Sequence, residues 1–261
     1  MKEGHKLFMN TRDNDKKGMC ARCSGSVCYP LAGAGDQLPE VEKAPDFCPM
    51  RRLSDIVEAA SREYSRPQIQ EFARLASIQE AECYEVSAEG IRTTIPRIEE
   101  IVEFAGKCNY SRIGIAFCVG LREEARITTK IFEQKGFEVI SVNCKVGRVA
   151  KESIGLKGEE KIMGEGLFEP ICNPIAQAEI LNAEEVDLAV LLGLCVGHDT
   201  LFFKYCKVPC TVLAVKDRVL GHNPLAALYL SSGPYYGRIN STADKAGKGS
   251  KVVLPENVRE E

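Results

Sequence analysis

The chain has 261 residues, a formal net charge of −3 and 27% charged side chains, so no basic excess draws it to nucleic acid or to an anionic membrane. Hydrophobic residues make up 44%, enough for a core, yet no apolar run approaches the roughly 20 residues that a membrane helix needs. Tryptophan is absent and aromatics are only 7%, which argues against an aromatic cage or a base-stacking surface; the unusual feature is a count of twelve cysteines.

Residues 1–18 are polar and carry no apolar export segment, so they read as a disordered leader on a cytoplasmic protein. In that reducing setting cysteines act as ligands or reactive thiols more than as bridges. Residues 19–50 form a Cys-rich module in which Cys20, Cys23, Cys28 and Cys48 are spaced C-x2-C-x4-C-x19-C among Gly, Pro, Ser and Asp. A stretch with so little to bury needs a cross-link to hold shape, and a metal would supply one. Four thiolates suit tetrahedral zinc or a 4Fe–4S iron–sulfur cluster.

Residues 51–238 read as a helical lead-in followed by an α/β domain, and 239–261 as a flexible tail. Leu53, Ile56, Val57 and Ala60 recur at helix spacing, as do Ile69, Phe72, Ala73 and Ala76, so 51–88 is expected to be helical. A further helix spans about Ile95 to Cys108. From Arg112 short apolar runs alternate with helical patterns: strands at 113–118, 137–142, 188–196 and 208–215, helices at 121–134, 173–182, around Phe202, and 224–230. That alternation implies crossovers and a mainly parallel sheet of about four strands in a three-layer α/β domain. Residues 145–171 form a long Gly-, Lys- and Glu-rich excursion, expected to be a functional loop or a lid.

Cys118, Cys144 and Cys195 end three of the strands, each followed within three residues by glycine. Cys172 opens the Cys-Asn-Pro that starts a helix. Ligands bind parallel sheets outside the carboxyl ends of the strands. These four are therefore the candidate second site, for a metal, a cluster or a small ligand. Cys83, Cys108, Cys206 and Cys210 read as packing. Gly197-His198-Asp199 and Gly221-His222-Asn223 follow strands at the same expected edge, as do Lys145, Lys216, Asp217 and Arg218. Gln177 and Asn173 lie near it. Gly193-Leu194-Cys195-Val196-Gly197 also has the form of a nucleophile elbow. A cysteine-nucleophile enzyme, hydrolase or amidotransferase-like, would then use Cys195 with His198 or His222 as base.

The N-terminal cysteines together with IGIAFCVGL, SVNCKVG, CNPIAQAEILN, LLGLCVGHDTLFFKYC and VKDRVLGHNPLAALY resemble an uncharacterised family catalogued as a domain of unknown function and taken to bind metal. It occurs largely in anaerobic bacteria and archaea. The resemblance runs from about Cys20 to Tyr229. It implies Cys20, Cys23, Cys28 and Cys48 as metal ligands, leans toward iron–sulfur chemistry, and implies no reaction. The expected partner is a small molecule or a redox protein, with no nucleic acid and no membrane.

Overall fold

The computed structural model describes residues 17–24, 27–29 and 39–240, so most of the expected leader and tail lies outside the described residues. The chain divides into two compact units, one through Arg92 and one from Thr93 onward.

In the first unit a 3-10 turn at Cys20–Arg22 precedes helices α1 (Pro49–Arg52), α2 (Ser54–Glu63) and α3 (Pro67–Glu82). Pro49 and Pro67 sit in first helical turns, where a missing N–H costs nothing. Helix does not continue to residue 88. Tyr84–Ser87 (β1) and Gly90–Thr93 (β2) instead form a small two-stranded sheet, with Arg92 paired to Glu85 at 2.5 Å. Both strands are exposed along their whole length, so no buried alternation marks them in the sequence.

The second unit opens with α4 (Arg97–Lys107) and then winds β3 (Arg112–Phe117), α5 (Arg122–Gln134), β4 (Glu138–Asn143), α6 (Pro174–Ala183), β5 (Leu188–Leu194), α7 (His198–Tyr205), β6 (Cys210–Val215) and α8 (Leu225–Tyr229). The sheet has the order β4-β3-β5-β6, and every pair is parallel. Residue alternation builds a core on each face. Ile113, Ile115, Phe117, Leu188, Val190 and Leu192 pack with Ile101 and Ala105 of α4 and Ala125 and Phe132 of α5. Ala116, Val142, Ala189 and Leu191 pack with Ala178 and Leu181 of α6 and Phe202 of α7. This is the three-layer α/β arrangement that the alternating pattern implied. Among the described residues no helix is long and apolar enough to cross a membrane.

The chain leaves β3 for β4 on one side, then returns past β3 to place β5 on the other. The order therefore reverses at the carboxyl ends of β3 and β5, where a crevice opens. One glycine shapes this edge. Gly193 has φ +70°, at the irregular register between β5 and β6, and a Cβ there would come within 2.0 Å of Leu121 Cδ1.

Candidate functional site

Every strand of the sheet ends at a reactive or charged side chain: Cys118 after β3, Cys144 after β4, Cys195 after β5 and Lys216 after β6. The ladder continues one residue further and fixes these positions. Cys118 N–H donates to Leu192 O at 3.1 Å, Cys144 N–H to Phe117 O at 2.9 Å and Lys216 N–H to Leu194 O at 3.1 Å. Cys172 stands just ahead of α6. Asn173 N–H donates to Cys144 O at 2.7 Å, and the Asn173 side chain caps α6 through Ala176 N–H at 3.1 Å. The four thiols line one cavity of about 470 Å³. The sequence expectation for Cys118, Cys144, Cys172 and Cys195 thus coincides with one place in the fold.

Inside the cavity Cys144 is central. Its sulfur accepts the Val119 N–H at 3.3 Å, and Cys118 and Cys172 stand beside it in the lining. The neighbouring Cys144 thiol holds the Cys118 thiol down to about 5, helped by the Gly120 N–H and by Lys216. The Cys144 thiol likewise holds Cys172 down to about 5, helped by Lys145 and His198. Cys144 itself is pushed upward by those two neighbours and by burial. Lys216 Nζ and Cys118 Sγ both lie over Gly120, at 3.5 and 3.9 Å from where a Cβ would stand. Arg218 Nη2 donates to Cys195 Sγ at 3.0 Å. Lys216 and Arg218 thus each stand beside a cavity sulfur.

The excursion supplies the remaining wall. Ile154, Leu156, Ile162 and Ile171 give it an apolar lining, and Lys151 and Glu169 face the cavity as an ion pair. The loop is built on buried charge: Lys161, 2% exposed at its side chain, pairs with Glu152 at 2.5 Å and donates to Leu167 O at 2.6 Å. Glu169 also accepts the Met163 N–H at 3.0 Å. Sequence reading identified the excursion but none of these residues. The available signal was apolar residues interleaved with Lys and Glu in a segment too long for a bare connection.

Three candidates, His222, Asp217 and Gln177, take other roles. His222 does not line the cavity. It has φ +67°, and its Nδ1 accepts the Asp217 backbone N–H at 3.1 Å while its backbone N–H donates to Asp217 O at 2.9 Å, so it closes the 217–222 turn. Asp217 Oδ1 accepts the N–H groups of Val219 and Leu220, each at 2.9 Å, within that turn. His198 does line the cavity, at the start of α7. Cys195 stands at a strand-to-helix turn, as an elbow would require, but left-handed backbone falls on Gly193 and Gly197 on either side of it and not on the cysteine. Gln177 is fully buried behind the edge. Its Nε2 donates to Phe117 O at 3.2 Å and Val142 O at 2.7 Å, tying together the ends of β3 and β4.

The N-terminal cysteines lie at the surface. Cys20 and Cys28 are exposed, Cys23 and Cys48 half-buried. Cys23 N–H closes the 3-10 turn on Cys20 O at 2.9 Å, and Met19 N–H donates to Phe47 O at 3.4 Å, which sets the residue before Cys20 beside the residue before Cys48. Among the described residues no three His, Cys, Asp or Glu side chains are arranged to hold a metal ion, at this end or at the sheet edge.

Residues 48–213 match a family model described as "Protein of unknown function (DUF1847)". The chain belongs to the DUF1847 family. It is also 45% identical over 210 residues to an uncharacterised protein of Methanocaldococcus jannaschii, a match covering 80% of this chain and 93% of that protein. The DUF1847 match contains the cavity thiols Cys118, Cys144, Cys172 and Cys195, the whole excursion, and Cys48. Cys20, Cys23 and Cys28 precede it, and Lys216, Arg218 and His222 follow it. The family description assigns neither a metal nor a reaction.

Proposed function

We propose that the sheet-edge cavity is a thiol redox site acting on a small molecule. The observation that carries this reading is the placement of Cys118 and Cys144 side by side on adjacent strand ends in one cavity, where the environment draws the Cys118 thiol toward ionisation and pushes Cys144 away from it. An ionised thiol beside a protonated one is the arrangement of an attacking and a resolving cysteine. With a small disulfide as co-substrate, the Cys118 thiolate attacks one sulfur and the first half leaves as a thiolate. Cys144 gives its proton to that leaving group and attacks Cys118 Sγ, and the second half leaves and is protonated by water. The protein gains a Cys118–Cys144 disulfide and the small disulfide becomes two thiols. Lys216 stabilises the attacking thiolate, and the apolar wall of the excursion excludes water from it.

The N-terminal module is proposed as a separate metal site. Cys20, Cys23, Cys28 and Cys48 would hold zinc or an iron–sulfur cluster. The donor set fits by its chemistry: four reachable thiols on a segment with little core, two of them in adjoining stretches of backbone. Binding would draw the ligands together, since such sites assemble with their metal. A second reading of the cavity, with Cys195 as nucleophile and His198 as base, is favoured by the Arg218 donor on Cys195 Sγ.

The test is metal and acid-labile sulfide content on protein purified without oxygen, followed by alkylation mapped residue by residue before and after treatment with bis(2-hydroxyethyl) disulfide. A Cys118–Cys144 disulfide formed at once supports the redox site. Reactivity confined to Cys195 supports the nucleophile reading instead. Cavity thiols that label only after iron and sulfide are stripped would make the cavity a ligand set and overturn both. Metal lost in Cys23→Ser but kept in Cys118→Ser supports the N-terminal site.

A further inference from the structure

A second pair of thiols meets at the opposite edge of the sheet. Cys206 caps the C-terminal end of α7, and Cys210 is the first residue of β6. Their sequence context suggests packing, and they do touch the core beneath α6 and α7. Between them the chain turns through Lys207, Val208 and Pro209. Both sulfurs bond to the same carbonyl, Val208 O, at 3.7 Å from Cys206 Sγ and 3.1 Å from Cys210 Sγ. The Cys210 thiol beside it holds Cys206 down to about 7, and Cys206 in turn pushes Cys210 upward.

The turn that holds them is braced from α6. Asn182 Oδ1 accepts the Lys207 N–H at 2.9 Å and its Nδ2 donates to Tyr205 O at 2.9 Å. The nearest charges are Glu179, which opposes ionisation of Cys206, and Lys207, which lies 3.9 Å from Glu179. Both cysteines are half-buried, so each packs on one side and is reachable on the other. Two thiols that share one acceptor in a braced turn are held close to each other.

We propose that Cys206 and Cys210 are a second dithiol site, separate from the cavity, that closes to an intramolecular disulfide by exchange with small-molecule disulfides. Cys206, as thiolate, attacks one sulfur of the small disulfide, and half of that molecule leaves and takes a proton. Cys210 then loses its proton and attacks Cys206 Sγ, releasing the other half as a second thiol. One S–S bond is broken and one is formed. The small disulfide is reduced by two electrons and the cysteine pair is oxidised by two. The bond would tie the end of α7 covalently to the start of β6, while the other end of α7 carries His198 at the cavity.

The experiment uses the full chain, reduced and free of oxygen, treated with bis(2-hydroxyethyl) disulfide, quenched with N-ethylmaleimide and digested without reduction. The expected result is that the peptides carrying Cys206 and Cys210 are recovered linked and lacking two hydrogens. In Cys210→Ser a stable hydroxyethyl adduct should remain on Cys206. The link should persist in Cys118→Ala, a variant that removes the proposed cavity disulfide, so the two sites can fail independently. Cys206 and Cys210 recovered separately and both alkylated with maleimide would overturn the proposal. So would an adduct that stays on Cys206 in the unmutated chain, or a link that vanishes with Cys118.

Discussion

Cys118 and Cys144 are cross-strand neighbours one step beyond the last ladder pair, Phe117 and Asn143, and both line the same cavity. Parallel register thus does what sequence separation conceals: it sets two thiols side by side at the mouth of a cavity. Cys172 adds a third to the same lining. Reactivity at this edge therefore belongs to the group more than to any one residue.

Replacing Cys144 with Ala should remove the largest influence holding down both Cys118 and Cys172. In the unmutated protein the alkylation of Cys118 should rise with a midpoint near pH 5 and be flat from pH 6 to 8, about what its depressed value implies. In Cys144→Ala that midpoint should move up toward the ordinary thiol value. Rates of iodoacetamide labelling against pH, read by mass spectrometry, decide the matter. An unmoved midpoint would mean that Lys216 and the Gly120 N–H alone hold the thiolate.

Stability should follow pH with a definite sign. Cys118 and Cys172 have folded values near 5 against an ordinary 9.0, so what they contribute is complete above pH 9, declines as pH falls toward 5, and is gone below it. Cys144 is shifted the other way, so above pH 9 the unfolded chain gains by ionising a thiol that the folded chain keeps protonated. The urea midpoint should rise between pH 5 and 8 and fall again above 9. A Cys118→Ala/Cys172→Ala double variant should flatten the rising limb.

Gly193→Ala should destabilise the domain by about 2–4 kcal/mol, since it combines left-handed backbone with overpacking. The added methyl would strike Leu121, which sits between the Cys118 turn and α5. Urea unfolding measures the loss, and slower Cys118 labelling in the folded variant would report the displaced edge. A variant as stable as the parent would show that Leu121 can move aside.

Gln177→Leu should cost about 1–3 kcal/mol, because two hydrogen bonds to the ends of β3 and β4 are lost while the hydrophobic volume is kept. Exchange of amide hydrogens at Cys118 and Cys144 should speed up more than exchange at the amino ends of the same strands. Equal protection along the strands would assign Gln177 to packing alone.

Much of this protein was legible in its residues. Apolar runs such as Ile113–Phe117 and Leu188–Leu194, each ending in cysteine and closed by helical patterns, mark parallel strands with thiols at their carboxyl ends. These are local signals, carried by periodicity within a few residues. The hairpin at 84–93 was missed because it is exposed throughout, so it has no buried face to write an alternation. Other facts belong to the tertiary structure alone. The order β4-β3-β5-β6 makes Cys118 the neighbour of Cys144, brings His198 to the cavity, and leaves His222 closing its own turn. The meeting of Cys206 with Cys210 depends on the bracing of their turn by Asn182 from another helix. Strand order and side-chain neighbours arise from contacts between segments far apart in the chain, and no local pattern encodes those contacts; residue types and their spacing decided where the thiols are, and the crossovers decided which of them touch.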